Sequence, residues 1–197
     1  PTFGGRLAEV DEAPAMAIVG VRRVVRLKNA VAVVADGYWP ALQGLKALQP
    51  EWDLSGIAAV NTACIEQGLL EAFALPGVVG KSVGDAIKTL ASAGKLVAAD
   101  YAVPYLAHAC MEPMNATARV TADAAELWVP TQAQTDTEKA VGAAIGLDPT
   151  KVTVNTTMLG GGFGRRSYVD FAVQAAQIAQ QLAGTPVKLI WSREEDL

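Results

Sequence analysis

The sequence contains few of the residues that proteins commonly use for metal centres and disulfide frameworks. It has one histidine, His108, and two cysteines, Cys64 and Cys110, which lie far apart in the chain. A multi-histidine metal centre is therefore excluded within this chain, and the C-x-x-C spacing of many zinc sites is absent. A disulfide between the two cysteines is compatible with the sequence but is not implied by it.

Long apolar runs and clusters of basic residues are also missing. No stretch of about 18 residues is apolar throughout, so the sequence predicts no membrane span. No basic segment followed by an apolar one indicates a signal peptide. The formal net charge is −4, and arginine and lysine cluster no further than pairs such as Arg22-Arg23. This distribution argues against a nucleic-acid partner.

The chain does contain enough apolar sequence for a substantial core. Of its 197 residues 51% are hydrophobic and 18% are charged, which suits one large domain or two small ones. It begins at Pro1 instead of a methionine, and its last residues, 194–197, are typical of the first turn of a helix. We therefore expect it to be a piece of a longer protein.

Hydrophobic periodicity and turn residues predict a mixed α/β chain. Strands are expected at 21–27, 31–35, 52–53, 95–103, 117–121, 126–129, 152–154 and 187–191, and helices at 39–48, 62–75, 83–93, 135–145 and 168–182. The 31–35 strand is apolar throughout, which predicts burial on both faces. Capping boxes are expected at 135–138 and 192–195.

The most unusual stretch is residues 160–166, Gly-Gly-Gly-Phe-Gly-Arg-Arg, called the glycine loop below. Each glycine costs roughly 0.5–1 kcal/mol relative to alanine in regular structure, so such a run suggests positive φ angles or close contact with another group. The spacing matches neither a P-loop nor a dinucleotide-binding motif. A tight strand-to-helix turn is one interpretation. The other is the lip of a cofactor pocket, walled by Phe163.

Other polar residues allow alternatives. The amide of Gln132 suits a ligand rich in oxygen or nitrogen, although the spacing alone favours a hydrated loop before a helix. His108 and Glu112 could pair, bind a metal or stabilise a bend. Arg165 and Arg166 could clamp a phosphate, or form ion pairs with carboxylates such as Asp170 or Glu194.

Three ordered blocks carry a family resemblance: Glu-Leu-Trp-Val-Pro-Thr-Gln at 126–132, Leu-Gly-Gly-Gly-Phe-Gly at 159–164, and Pro-Val-Lys-Leu-Ile-Trp-Ser-Arg-Glu-Glu-Asp at 186–196. Together they resemble the large, molybdenum-binding subunit of the xanthine dehydrogenase and aldehyde oxidase family. The segments at 31–39 and 108–115 are similar to one branch, the isoquinoline 1-oxidoreductase beta subunits and membrane-bound aldehyde dehydrogenases.

The resemblance implies a molybdopterin cytosine dinucleotide cofactor with molybdenum. Gln132 matches the family glutamine that contacts an oxygen ligand of the metal, and the backbone of 162–164 matches the loop beside its apical ligand. Gly161, Gly162, Phe163, Gly164 and Arg165 are thus expected to bind the cofactor together with Gln132. No residue is expected to ligate the metal directly.

The resemblance also implies a fold and an activity. We expect a hammerhead-like α/β region at 1–97 and the first part of a molybdopterin-binding domain at 98–197. The full-length protein is expected to oxidise an aldehyde or hydroxylate an N-heterocycle with water-derived oxygen. Expected partners are an iron–sulfur subunit and a cytochrome c subunit, in a periplasmic or membrane-associated setting.

Two departures from the family limit this expectation. Arg-Arg-Ser at 165–167 replaces the Gly-Lys-Glu of xanthine-oxidising relatives, so purine oxidation is not expected, and Ser167 is the candidate for that side of the substrate pocket. The general-base glutamate lies in a Gly-Glu pair in the family, and no Gly-Glu pair occurs here. We expect the chain alone to be inactive. The rival interpretations are a module binding a phosphorylated ligand at the glycine loop and an assembly domain.

Overall fold

A computed structural model describes residues 2–197 of the chain. They divide into two compact units: Ala107–Leu197 together with the chain up to Gly56 form the first, and Ile57–Leu106 form the second. Helices and strands are mixed, as the sequence predicts. The predicted domain boundary between residues 97 and 98 remains a prediction.

The N-terminal part of the first unit holds two small antiparallel sheets and two helices. Its elements are β1 (Arg6–Glu9), α1 (Ala13–Met16), β2 (Val21–Arg26), β3 (Val31–Ala35), α2 (Tyr38–Ala47) and β4 (Glu51–Asp53). β1 pairs with β4, and β2 pairs with β3. The β3 strand is only partly buried, against the expectation from its apolar run, because its two-stranded sheet leaves part of each strand uncovered.

The larger part of the first unit is a four-stranded sheet packed against helices. Its elements are β5 (Asn115–Val120), β6 (Ala125–Val129), α5 (Gln134–Ile145), β7 (Val152–Thr156), α6 (Asp170–Gln180), β8 (Val187–Ile190) and α7 (Arg193–Asp196). The strand order is β7-β6-β5-β8, with β6 and β7 parallel and the other pairs antiparallel. All four strands are predicted correctly.

The core of this sheet follows from residue alternation. In β6, Ala125, Leu127 and Val129 are buried and the residues between them are not, as expected when successive side chains point to opposite faces. The α6 helix packs against the sheet with buried Phe171 and a row of alanines. The small alanine side chains let the helix lie close to the strands.

Helix ends explain one correct and one wrong prediction. The capping box at α7 is present: the Ser192 hydroxyl accepts the Glu195 N–H, and the Glu195 carboxylate accepts the Ser192 N–H. The box expected at 135–138 is absent, because α5 begins one residue earlier and Thr135 lies inside its first turn. The Thr137 hydroxyl instead donates to the Ala133 carbonyl, 2.8 Å away.

The second unit consists of α3 (Thr62–Phe73), α4 (Ala86–Ala91) and irregular chain. None of its residues is buried. The predicted helix at 62–75 is confirmed, but the one at 83–93 shortens to α4, which Asp85 caps. The predicted strand at 95–103 is wrong, since a strand needs a hydrogen-bonding neighbour and none of the described residues provides one.

Candidate functional site

The site lies where two parallel strands end. β6 and β7 run side by side until Val129 pairs with Thr156. Residues 130–132 continue from β6, and the segment leading to the glycine loop continues from β7. Parallel strands present their carboxyl ends at one sheet edge, which is where ligands commonly bind in α/β sheets. Residues far apart in sequence are therefore brought together here.

The glycine loop has an unusual backbone. Gly161 and Gly164 have φ angles of +100° and +94°, and Phe163 between them has a φ of +52°. Glycine adopts such angles without a steric penalty, whereas for phenylalanine they are uncommon. The loop then enters a short 3-10 helix, Arg165–Ser167, whose first turn is closed by a 2.8 Å bond from the Arg165 N–H to the Gly162 carbonyl.

Gln132 is joined directly to this loop. Its side-chain Oε1 accepts the main-chain N–H of Gly164 at 3.2 Å, and its own N–H donates to the Arg166 carbonyl at 3.1 Å. Since a main-chain N–H can only donate, the amide must turn its oxygen toward Gly164. Its Nε2 donor then finds no acceptor among residues 2–197 and is available to a ligand.

Gly162 is the position where a side chain would interfere most. A Cβ placed there would lie 2.6 Å from Oε1 and 3.0 Å from Nε2 of Gln132. At Gly164, in contrast, an added Cβ meets nothing within 4 Å, so space is open above the loop. In the described part of the chain, the N–H groups of Gly162 and Phe163 have no hydrogen-bond acceptor. The loop thus combines open space with unused donors.

Arg165 is buried and turned toward carboxylates of the protein. Its two terminal nitrogens bond the two carboxylate oxygens of Asp170, each at 3.0 Å, and its guanidinium lies 5.4 Å from the centre of the Trp191 ring. Its Nε also lies 3.8 Å from Asp196 Oδ1. The ion pair with Asp170, one of the two sequence-based alternatives, is therefore present, and the guanidinium does not form a phosphate clamp.

Arg166 is fully buried and bonds the loop to Glu112. Its Nε donates to the Gly161 carbonyl at 2.7 Å, and its Nη2 lies 2.8 Å from both the main-chain carbonyl and Oε2 of Glu112. The suggested pair between His108 and Glu112 does not form: His108 is exposed and makes no hydrogen bond to Glu112 in the described residues. The partnership of Glu112 with Arg166 was not predicted.

The remaining predicted site residues lie at the surface. Phe163 is 76% exposed, and Ser167 is exposed, with its N–H donating to the Gly164 carbonyl at 3.1 Å. Phe163 therefore borders the open side of the loop. The buried thiol of Cys110, which sequence reasoning did not single out, lies 3.5 Å from the Gly162 carbonyl. The roles of Phe163 and Ser167 remain predictions.

Among the residues of the site, the carboxyl group of Glu112 has a shifted pKa. Partial burial acts to raise the pKa of Glu112. Hydrogen bonds from the Gly160 N–H and Asn115 Nδ2 act in the opposite direction, as do the positive charges of Arg166 and Lys188. The attractive contributions prevail, so the pKa of Glu112 lies below its ordinary value and the group is ionised at neutral pH.

Solved structures define the fold class. The chain superposes on quinoline 2-oxidoreductase from Pseudomonas putida 86 with a TM-score of 0.67 and 19% identity, over 98% of this chain and 30% of that one. It superposes on aldehyde oxidoreductase from Desulfovibrio gigas with a TM-score of 0.66 and 18% identity, over 98% of this chain and 26% of that one. The fold is therefore one found in large oxidoreductase chains.

Sequence comparison specifies the family. The family described as Molybdopterin cofactor-binding domain matches residues 74–197, and the chain belongs to it. The chain is 30% identical over 223 residues to isoquinoline 1-oxidoreductase subunit beta of Brevundimonas diminuta, covering 100% of this chain and 26% of that protein. It is 26% identical over 204 residues to a membrane-bound aldehyde dehydrogenase [pyrroloquinoline-quinone] of Gluconacetobacter polyoxogenes, covering 99% and 26%. The chain spans about a quarter of both relatives.

The glycine-loop site fits a molybdopterin cofactor in its donor chemistry. Oxygen ligands of molybdenum and phosphate oxygens accept hydrogen bonds, and Gln132 Nε2 with the N–H groups of Gly162 and Phe163 are donors without other acceptors in residues 2–197. The absence of a side chain at Gly162 preserves the contact with Gln132. Among the described residues, no three His, Cys, Asp or Glu side chains are grouped as for a metal ion.

Proposed function

We propose that this chain forms part of the large subunit of a molybdenum hydroxylase, an oxidoreductase that oxidises an aldehyde or hydroxylates an N-heterocycle. The observation that carries the proposal is the 3.2 Å hydrogen bond that joins Gln132 to Gly164. It brings together two of the three sequence blocks of the family resemblance at one sheet edge. Family membership supports the same conclusion, as do the two relatives that align with nearly the whole of this chain.

The chain's own residues would hold and orient the cofactor. Gln132 Nε2 would donate to an oxygen ligand of the metal, and the N–H groups of Gly162 and Phe163 would donate from the loop. Such donors are fixed before the reaction and need no reorganisation when negative charge develops on an oxygen. The cofactor, when bound, supplies two-electron oxidation with an oxygen derived from water. Phe163 would border the substrate side of the loop.

Finer features of the proposal follow from the family resemblance. We propose the cytosine dinucleotide form of the cofactor, an iron–sulfur subunit and a cytochrome c subunit as electron-transfer partners, and a periplasmic or membrane-associated location. None of the helices in residues 2–197 has the length and apolar character that a membrane span requires. We also propose that residues 1–97 belong to a hammerhead-like region and residues 98–197 to the cofactor-binding domain, with Ser167 beside the substrate.

The catalytic base is proposed to lie outside the 197 residues, since no Gly-Glu pair occurs in them. The isolated chain is therefore expected neither to hold the cofactor firmly nor to turn over. The alternative of a phosphorylated-ligand module has no support, because the guanidinium groups of Arg165 and Arg166 bond to carboxylates of the protein itself.

The test measures molybdenum and released pterin nucleotide in the full-length protein that carries this chain. We expect about one molybdenum per protein and release of a cytosine nucleotide. Gln132→Glu keeps an acceptor for the Gly164 N–H but removes the Nε2 donor, so cofactor content or kcat should fall. Gln181→Glu, at an exposed position after α6, is the matched control. A full-length protein without molybdenum and pterin, expressed where the cofactor is made, contradicts the proposal.

A further inference from the structure

Glu112 and Gly160 form a reciprocal pair of hydrogen bonds. The Glu112 N–H donates to the Gly160 carbonyl at 3.1 Å, and the Gly160 N–H donates to Glu112 Oε2 at 2.8 Å. The two residues also pack tightly, since a Cβ at Gly160 would lie 2.6 Å from the Glu112 Cβ. The first residue of the glycine loop is thus held by both the main chain and the side chain of Glu112.

Arg166 extends this hold to the other end of the loop. It is fully buried, and the carboxylate of Glu112 is the only one it bonds within residues 2–197. The same guanidinium donates to the Gly161 carbonyl at 2.7 Å, while its Nη1 has no partner in that part of the chain. Without Glu112, a buried cation would lose its counter-charge, which is strongly unfavourable. The hydrogen bond from Arg166 to the Gly161 carbonyl therefore depends on the ion pair between Arg166 and Glu112.

Taken together, two anchors fix the loop. Gln132 bonds Gly164, and Glu112 bonds Gly160 directly and Gly161 through Arg166. Within the loop, the main-chain N–H groups of residues 161, 162, 163 and 166 have no acceptor in the described chain, and those of Gly162 and Phe163 lie between the two anchors. An error in the placement of those donors by even a fraction of an ångström would weaken hydrogen bonds to a bound oxygen, because these bonds require donor distances near 2.9 Å.

We propose that Glu112 is a positioning residue, whose carboxylate holds the glycine loop through Gly160 and Arg166 so that the donors of Gly162 and Phe163 stay aimed at the cofactor. The inference rests on the proposed function. Its structural half, control of the loop by Glu112, can be measured without any cofactor.

The first measurement is amide hydrogen exchange in Glu112→Ala, Glu112→Gln and Glu126→Gln forms of the 197-residue chain. Glu126 is the matched control, a part-buried glutamate that accepts a hydrogen bond from Asn155 at 3.3 Å and makes no hydrogen bond to the glycine loop in the described residues. We expect exchange of the hydrogen-bonded loop amides, those of Gly160, Gly164 and Arg165, to rise about tenfold or more in Glu112→Ala, the factor for losing a hydrogen bond to a charged group, with α6 unchanged. Glu112→Gln should retain part of the protection that Glu112→Ala loses. The control, Glu126→Gln, should show the same loop exchange as the parent chain.

The second measurement is cofactor retention in the full-length protein, followed as the rate of pterin release on dilution. Glu112→Ala should accelerate release about tenfold, with Glu112→Gln in between and Glu126→Gln unchanged. Unchanged loop exchange in Glu112→Ala, or an equal rise in α6, overturns the positioning role. A looser loop with unaltered pterin release also overturns it. A full-length parent protein without pterin contradicts the proposed function but leaves the loop measurement intact.

Discussion

Gln132 and Gly164 are hydrogen-bonded at 3.2 Å although 32 residues separate them in the sequence. The bond orients the glutamine amide, because Oε1 accepts from the Gly164 N–H and Nε2 is left without an acceptor in residues 2–197. The contact also depends on Gly162, whose missing side chain leaves room for the amide. One side-chain amide and one glycine therefore define the face that the loop presents.

Gly162→Ala should damage the site more than the fold. Its new methyl would lie 2.6 Å from Gln132 Oε1, but Gln132 is exposed and its side chain can move away. We expect the free energy of unfolding to fall by about 1 kcal/mol, the low end of the range for overpacking, because the clash is relieved by movement of an exposed side chain. Molybdenum content of the full-length protein should fall several-fold.

The matched control for this substitution is Gly37→Ala, at an extended position where an added Cβ meets nothing within 4 Å. Urea denaturation measures the stability of both variants, and metal analysis measures their loading. Equal molybdenum content in Gly162→Ala and Gly37→Ala would show that the orientation of Gln132 is unimportant.

The ion pair between Arg165 and Asp170 should stabilise the fold measurably. Both terminal nitrogens of Arg165 take part, and the Arg165 side chain is only 11% exposed. We expect Arg165→Met to lower the free energy of unfolding by about 1–3 kcal/mol, between the values for surface pairs and for buried ones. A double-mutant cycle with Asp170→Asn isolates the pair from the contact with Trp191.

The exposed pair of Arg22 and Asp36 provides the comparison, since their side chains are 66% and 54% exposed. Arg22→Met should leave the denaturation midpoint unchanged within error, because water screens an exposed pair. A coupling of zero between Arg165 and Asp170 in the cycle would mean that the pair only satisfies burial and adds no net stability.

The sequence was sufficient for the regular elements around the site. Alternating apolar residues predict β6, and helical spacing predicts α6, because each pattern follows from the geometry of its own element. The prediction of a strand at 95–103 is wrong, because a strand forms only beside a second strand that bonds to it, and a local pattern cannot show whether that second strand exists. A cofactor-binding role for Gln132 is predicted only through the resemblance to a family, because no local pattern distinguishes it from a hydrated loop residue.

The bond between Arg166 and Glu112 was beyond sequence reasoning for a physical reason. The residues are 54 positions apart, and both lie in irregular segments where no periodicity indicates which side is buried. For Arg166 the sequence predicts either a phosphate contact or an ion pair with a carboxylate such as Asp170 or Glu194. Its complete burial follows from the packing of the loop on the 110–113 segment, which is a property of the tertiary structure.

Acidification should loosen the fold through Glu112. Its pKa is below the ordinary glutamate value in the folded chain, so the unfolded state binds a proton more readily. The ionised carboxylate therefore stabilises the fold above the unfolded-state value of about 4.3, and this contribution is lost as the pH falls through the lowered folded-state pKa. Between about pH 6 and 3, the midpoint temperature of thermal unfolding should fall more steeply in the parent chain than in Glu112→Gln.

The control for the pH experiment is Glu126→Gln, which should keep the pH dependence of the parent. If Glu112→Gln and the parent chain lose stability in parallel below pH 4.5, Glu112 does not contribute and other carboxylates, such as Asp148 with its lowered pKa, account for the acid sensitivity.

Limited proteolysis should cut the isolated chain first within 57–106. No side chain of that unit is buried, so little free energy opposes the local opening that a protease needs. Trypsin sites at Lys81 and Lys95 lie outside helices there, whereas Arg119 and Lys139 lie in β5 and α5 of the first unit. We expect cleavage at Lys81 and Lys95 at least about tenfold faster than at Arg119 or Lys139, measured by mass spectrometry at low protease concentration.

In the full-length protein, protection of the same lysines would indicate that other parts of the protein cover the exposed apolar side chains of this unit, such as Phe73. Equal cleavage rates at all four sites in the isolated chain would contradict the difference in stability between the two units.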